Sequence, residues 1–168
     1  MFVEKLDKIN TLNNSVVSFG NFDGIHLGHQ KIIKTMIDLG KLNNLPTVLL
    51  SFNPHTNSVL NNKNFKVLTP FSYKIDIIKN FNIDYFCEIS FTTDFSKLSA
   101  DNFLDLIINK YNPSYIVFGY DNFFGYKRSG SYDYVKNSPK YKHINCIKVE
   151  KYQKTDQIIK TSNIKDMI

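Results

Sequence analysis

The chain has 168 residues, 42% of them hydrophobic, 21% charged and 14% aromatic, which is globular usage and excludes disordered and fibrous classes. At this length one core of ordinary size is expected, so residues 1–168 are read as a single domain. The formal net charge of +6 comes from scattered lysines, with Arg128 the only arginine, and the lack of a basic block argues against a nucleic-acid partner.

Strand and helix signals alternate along the chain. Ser15 to Gly20 (SVVSFG) is a short β-branched run ending in glycine, followed by the turn NFDG and a periodic stretch from Leu27 to Leu42. In that stretch Ile32, Ile33, Met36, Ile37 and Leu39 fall mostly on one helical face, with Lys31, Lys34 and Asp38 outside it. Thr47 to Phe52 (TVLLSF) is a continuously apolar strand, as expected in a parallel sheet covered on both faces. The Asn-rich loop from Asn53 to Lys66 exceeds the usual connection length and points to a binding loop or a lid.

Thr69 and Pro70 are expected to open the next helix, Thr69 as its cap, with Tyr73, Ile75, Ile77, Ile78 and Phe81 as apolar cover. Asp84 to Ser90 reads as a third strand, Ser99 to Tyr111 as a capped amphipathic helix, and Ser114 to Gly119 as a fourth strand. A glycine-rich aromatic loop spans Tyr120 to Gly130, Ser131 to Asn137 is a weak helix, and His143 to Glu150 is a fifth strand. Repeated β-α units imply an α/β, Rossmann-like, doubly wound and mainly parallel five-stranded sheet with helices on both faces. Ligands in such sheets bind beyond the carboxyl ends of the strands, which singles out Gly20 to His29, Phe52 to Asn57 and Gly119 to Gly130.

Other site classes find little support. Cys87 and Cys146 lie far apart without CxxC spacing and are expected as buried apolar residues. No apolar run approaches the ~20 residues of a membrane span, and MFVEKLDKIN lacks the apolar centre of a secretory leader, so a cytoplasmic location without a membrane partner is expected.

The string Gly20-Asn21-Phe22-Asp23-Gly24-Ile25-His26-Leu27-Gly28-His29-Gln30 sits where the first strand turns into its helix. A spacing of three puts His26 and His29 on one side of the first helical turn, where both can reach one anion. The free N–H groups and partial positive charge of a helix N-terminus favour phosphate there. Neither GxxxxGKS nor GxGxxG is present, and a zinc pair would need different spacing and a third ligand. An incidental histidine pair is the alternative for the HxGH element by itself.

GNFDGIHLGHQ resembles the nucleotide-binding signature of the HxGH nucleotidyltransferases, specifically the FMN adenylyltransferase module of prokaryotic FAD synthetases. SFNPHT, LTPFSYKIDII, FTTDFSKLSADNF and VFGYDNFFGYKRSG are similar to later motifs of that family in the same order, and the likeness runs from about Ser15 to Ile168. It implies AMP transfer from ATP to FMN, giving FAD and pyrophosphate, with Mg²⁺ as cofactor. It assigns His26 and His29 as catalytic. Gly20, Phe22, Asp23, Gly28, Gly119, Asp121, Thr161, Ser162 and Lys165 are implied at the ATP site, with Asp121 near adenosine and metal. Phe52, Asn53, Pro54, His55, Phe123, Phe124 and Arg128 are implied at the FMN site.

The chemistry of the residues is compatible with that implication. A phosphate monoester is already an anion at neutral pH and needs no general base, which agrees with the lack of a Ser-His-Asp or Cys-His pattern. Three positions depart from the family pattern: Lys160 replaces a serine and Lys165 an arginine in IKTSNIK, and Phe123 stands where the family has arginine. A lysine is a point charge where arginine is a fork. The family usually continues into a riboflavin kinase domain, and the chain stops at Ile168, so no kinase activity is expected. Two alternatives stay open: a nucleotidyltransferase for another phosphate, such as phosphopantetheine or a nicotinamide mononucleotide, and a degenerate ATP- or flavin-binding protein without turnover.

Overall fold

The computed structural model describes residues 1–5, 11–60 and 65–151, and beyond these the backbone of residues 153–154 and 157–158. The central sheet contains β1 (Phe2–Lys5), β2 (Ser15–Gly20), β3 (Thr47–Asn53), β4 (Tyr85–Ser90) and β5 (Pro113–Gly119). A two-residue hairpin follows, β6 (Phe123–Phe124) with β7 (Gly130–Ser131), and β8 (Asn145–Val149) completes the sheet. The order β1-β4-β3-β2-β5-β8 has parallel pairing throughout. All five expected strands are present, and β1 is a sixth, added at the edge beside β4.

Side-chain parity explains why the strands are apolar throughout. Val17, Phe19, Val48, Leu50, Cys87, Ile116 and Phe118 pack on one face of the sheet, whereas Val16, Leu49, Phe86, Val117 and Val149 pack on the other. The second face is covered by α1 (Leu27–Asn43), through Ile32, Ile33 and Met36, and by α3 (Phe71–Ile78), through Ile78. The first face is covered by α4 (Ala100–Tyr111), through Phe103, Leu104 and Ile107, and by α5 (Tyr132–Asn137), through Val135. Cys87 is buried as expected, whereas Cys146 is partly exposed.

Local signals set the helix ends. Ser99 caps α4 by accepting from the Asn102 N–H at 3.1 Å, and Ser131 caps α5 by accepting from Tyr134 at 3.2 Å. Asn44 and Asn112 close α1 and α4 in the left-handed conformation. Thr69 does not cap α3. Its hydroxyl instead accepts from the Gly24 N–H at 3.1 Å, and Pro70 stands at the helix start without a side-chain cap. The long loop after β3 contains a short helix, α2 (Thr56–Leu60).

After β2 the chain winds outward through β3 and β4, then returns to lay β5 against the opposite side of β2. The strand order therefore reverses between β2 and β5, and the crevice beyond their carboxyl ends is bounded by the Gly20 and Gly119 loops. No helix among the described residues is long and apolar enough to cross a membrane.

Candidate active site

The loop after β2 is bent into an unusual path that delivers both histidines to the start of α1. Phe22, Gly24 and Ile25 all have positive φ, at 48°, 77° and 36°, around one turn of 3-10 helix. Such torsions are costly outside glycine, so tertiary contacts must hold them. Phe22 and Ile25 are buried, and the Asp23 carboxylate accepts from the backbone N–H groups of Leu68 and Thr69, at 3.2 and 2.9 Å. Phe22 and Asp23, expected at the ATP site, thus support the loop from inside. Gly20 ends β2, and a Cβ there would meet only the Phe22 ring at 3.4 Å.

His26 is the N-cap of α1, and its Nδ1 accepts from the His29 backbone N–H at 3.3 Å. That bond occupies the Nδ1 lone pair, so the neutral ring carries its proton on Nε2. The His26 and His29 rings stack with centroids 3.8 Å apart and planes inclined by 16°. His29 also leans on the Phe22 ring, 5.2 Å away. Gly28 makes room for this arrangement, because a Cβ there would lie 3.0 Å from Cε1 of His26. The buried Nδ1 of His29 has no hydrogen-bond partner among the described residues.

Burial dominates the titration of both rings. It lowers the His26 pKa against the opposing charges of Asp121 and Asp23. His29 is pushed down to about 3, first by burial and then by the nearby His26 and Lys74 charges. Both rings are neutral at pH 7, and an arriving polyanion would raise them toward the cationic form.

The second loop brings Phe52, Asn53, Pro54 and His55 to the carboxyl end of β3. Phe52 joins an aromatic cluster with Phe91, Phe95 and Phe103, at ring separations of 5.4 to 6.3 Å. The Asn53 amide donates to Glu88 Oε1 at 2.8 Å, and the peptide bond to the exposed Pro54 is cis. His55 stacks on Phe65, 4.5 Å away, and its Nδ1 accepts from the Asn57 N–H at 3.1 Å. These residues shape a loop whose aromatic side faces are partly exposed.

At the end of β5, Gly119 lies beneath α1, and a Cβ there would press on Ile32 Cδ1 at 3.1 Å. Asp121 is exposed in the following turn, and its charge reaches His26. Asn122 ties this loop to the end of β2 by donating to the Phe19 carbonyl at 2.8 Å. In the hairpin beyond, Phe124 is buried in the core, whereas Phe123 is 48% exposed and carries the Arg128 guanidinium 4.5 Å over its ring. Phe124, expected at the flavin site, is therefore a support beneath the hairpin. Phe123 thus brings the Arg128 cation to the rim of the hairpin by stacking.

A groove of about 490 Å³ opens beside the same crevice, lined by Tyr120, Lys148, Glu150 and Lys151. Thr161, Ser162 and Lys165, expected at the triphosphate, and Lys160 lie outside the described residues. Among the described residues no three His, Cys, Asp or Glu side chains are grouped to hold a metal ion. Asp121, exposed beside the imidazoles, is the kind of single carboxylate that suits a Mg²⁺ carried chiefly by substrate phosphates.

Sequence reasoning missed three polar residues that organise the rim: Asn21, Ser51 and Lys74. The Asn21 side chain clasps Thr56, donating to its hydroxyl at 2.9 Å and accepting from its N–H at 3.1 Å. Lys74 was legible in one respect, since it falls on the apolar face of α3 with Phe71, Ile75 and Ile78.

The comparisons with known proteins bear on this site. Residues 8–163 match the FAD synthetase family. A bifunctional riboflavin kinase/FMN adenylyltransferase from Buchnera aphidicola subsp. Schizaphis graminum is 45% identical over 80% of this chain and 43% of its own length. Its counterpart from Buchnera aphidicola subsp. Acyrthosiphon pisum is 35% identical over 97% of this chain and 52% of its own. The chain thus spans about half the length of these curated relatives. Among solved structures, the macrolide-efflux protein from Streptococcus pneumoniae superposes with a TM-score of 0.85 at 26% identity, over 98% of this chain and 54% of that one. Pantothenate synthetase from Thermus thermophilus, at 10% identity, a TM-score of 0.58 and coverage of 98% and 67%, shares the fold. A match across nearly the whole chain, on a sheet whose reversal point carries the paired imidazoles, places the chain in the FAD synthetase family.

Proposed function

We propose that the chain transfers AMP from ATP to FMN, giving FAD and pyrophosphate. The observation that carries this reading is the stacked His26–His29 pair at the N-terminus of α1, at the reversal point of the sheet, in a chain of the FAD synthetase family. An FMN phosphate oxygen attacks the α-phosphorus of ATP, forming a new P–O bond, while the bond to the bridging oxygen breaks and pyrophosphate leaves with that electron pair. The nucleophile is already an anion, so the protein has to align two polyanions and stabilise charge on the α-phosphate.

His26 is suited to that work because its cap bond leaves Nε2–H as the donor. The buried Nδ1 of His29, without a hydrogen-bond partner among the described residues, would gain one if protonated beside phosphate. Uncapped N–H groups of the first helical turn add to the positive field. Gly20, Gly28 and Gly119 let the Phe22 ring, the His26 ring and Ile32 of α1 pack closely around the nucleotide loops, with Phe22 and Asp23 holding the first loop and Asp121 on the adenosine and metal side. Mg²⁺, when bound, would neutralise triphosphate charge, and Asp121 is the carboxylate that would help hold it. Thr161, Ser162 and Lys165 would complete the triphosphate site. For FMN, Phe52, Asn53, Pro54 and His55 with Phe123 and Arg128 supply apolar surface and a cation, and Phe124 backs them from the core.

The decisive assay incubates the protein with ATP, FMN and Mg²⁺ and follows FAD and pyrophosphate by chromatography, with riboflavin in place of FMN as the control. FAD is expected from FMN alone. His26→Ala and His29→Ala are each expected to lower kcat/KM by about 10²-fold or more, on the order of the loss of one charge-stabilising donor. ATP and FMN binding without product would instead mark a degenerate binding protein, and turnover with a different phosphate would mark another nucleotidyltransferase.

A further inference from the structure

Lys74 stands where the helical pattern of α3 calls for an apolar residue, and it is only 3% exposed. An ammonium in such a place is expensive unless hydrogen bonds hold it. Its Nζ donates to the Asn21 carbonyl at 2.5 Å and to Ser51 Oγ at 3.0 Å, and the Ser51 hydroxyl in turn donates to the Asn21 carbonyl at 3.1 Å. The Phe71 ring lies 5.5 Å from the same nitrogen. Burial draws the pKa down to about 8 against the opposing charge of Asp23, so the ammonium persists at neutral pH.

The two acceptors belong to different segments of the site. Asn21 is the residue after β2, at the start of the strained turn that carries His26, and Ser51 is on β3, one residue before Phe52. Asn21 also grips Thr56 through its side chain. One cation therefore pins the junction where the imidazole loop and the Phe52–His55 loop diverge. An apolar side chain at position 74 would leave the Asn21 carbonyl with the Ser51 hydroxyl as its remaining partner.

We propose that Lys74 is a positioning residue for the transfer reaction, clamping the carboxyl ends of β2 and β3 so that the imidazole pair faces the substrate bound along the β3 loop. The kinetic part of this inference rests on the FMN adenylyltransferase reading.

The test is Lys74→Met, which keeps an unbranched apolar stem of the same length to Cε and removes the ammonium. In the folded variant kcat for FAD formation should fall at least about tenfold, while KM for ATP and FMN changes less than about threefold. Independently of turnover, the Asn21 and Thr56 amide signals and the imidazole signals of His26 and His29 should shift in NMR spectra, and those of β8 should not. Unchanged kcat or unmoved imidazole signals overturn the proposal. Should Lys74→Met fail to fold, Ser51→Ala removes one acceptor and should lower kcat about threefold or more, and wild-type kcat in that variant overturns the clamp. A wild-type chain that makes no FAD refutes the proposed reaction, whereas the NMR shifts still decide whether Lys74 holds the two loops.

Discussion

A hydrogen in place of a side chain at Cα of residue 28 lets the His26 ring pack closely over the helix start. The imidazole folds back over the first turn of α1 to cap it, and a methyl at position 28 would sit 3.0 Å from Cε1 and 3.1 Å from Nδ1. Gly28 lies inside the helix, where alanine is intrinsically favoured by about 0.8–1.0 kcal/mol. Gly28→Ala should therefore leave the melting temperature unchanged or slightly raised while cutting kcat/KM at least about tenfold, because the capping ring must shift by a few tenths of an ångström against its stacked partner. Thermal unfolding and FAD formation measured side by side check this opposition. A loss of both together would mean that the glycine serves only the backbone. The paired histidines were legible in the sequence because their spacing is a local property of a helical turn. Lys74, Asn21 and Ser51 were not, because their meaning comes from contacts between segments up to 53 residues apart.

Elements show the same division between local and long-range information. The helix caps of α4 and α5 are serines acting within three residues of themselves, and both lay in the sequence in plain form. Thr69 carries the same local signal, yet its hydroxyl and N–H are taken by Gly24 and Asp23 across 45 and 46 residues. A tertiary partner overrode the cap. Strand β1 has only four residues and one covered edge, so its short FVEK pattern says little until the register with Tyr85 to Glu88 is known. The hairpin of β6 and β7 depends on a comparable long-range fit. Gly125 has φ of 72°, and a Cβ there would lie 2.7 Å from both the N and Cα of Ala100, at the start of α4. Backbone cannot step aside as a flexible side chain can. Gly125→Ala should destabilise the fold by roughly 2–4 kcal/mol, combining positive-φ strain with overpacking, and should detach the exposed Phe123 and Arg128 from their place. Urea unfolding gives the first effect, and weakened FMN binding relative to ATP binding gives the second.

At the scale of the whole molecule, the neutral imidazole pair couples stability to pH with a definite sign. The His29 pKa is about 3 in the folded chain and near its ordinary 6.5 when unfolded, so between these values the unfolded state binds the extra proton. Stability is thus complete above pH 6.5 and declines as the solution is acidified toward pH 3, with His26 acting in the same direction. One proton's worth of linkage removes roughly 2 kcal/mol between pH 7 and pH 5. His29→Gln cannot take up that proton, and its unfolding free energy, from urea titrations at pH 7, 6 and 5, should fall by correspondingly less than that of the wild type. Equal slopes would show that the His29 site does not resist protonation. The slope should also flatten in the wild type when ATP is present, because the triphosphate would offer the imidazolium an anionic partner. The instability at low pH and the proposed affinity for polyanions would then have one cause: a desolvated pair of rings at a helix tip, held short of protonation until phosphate arrives.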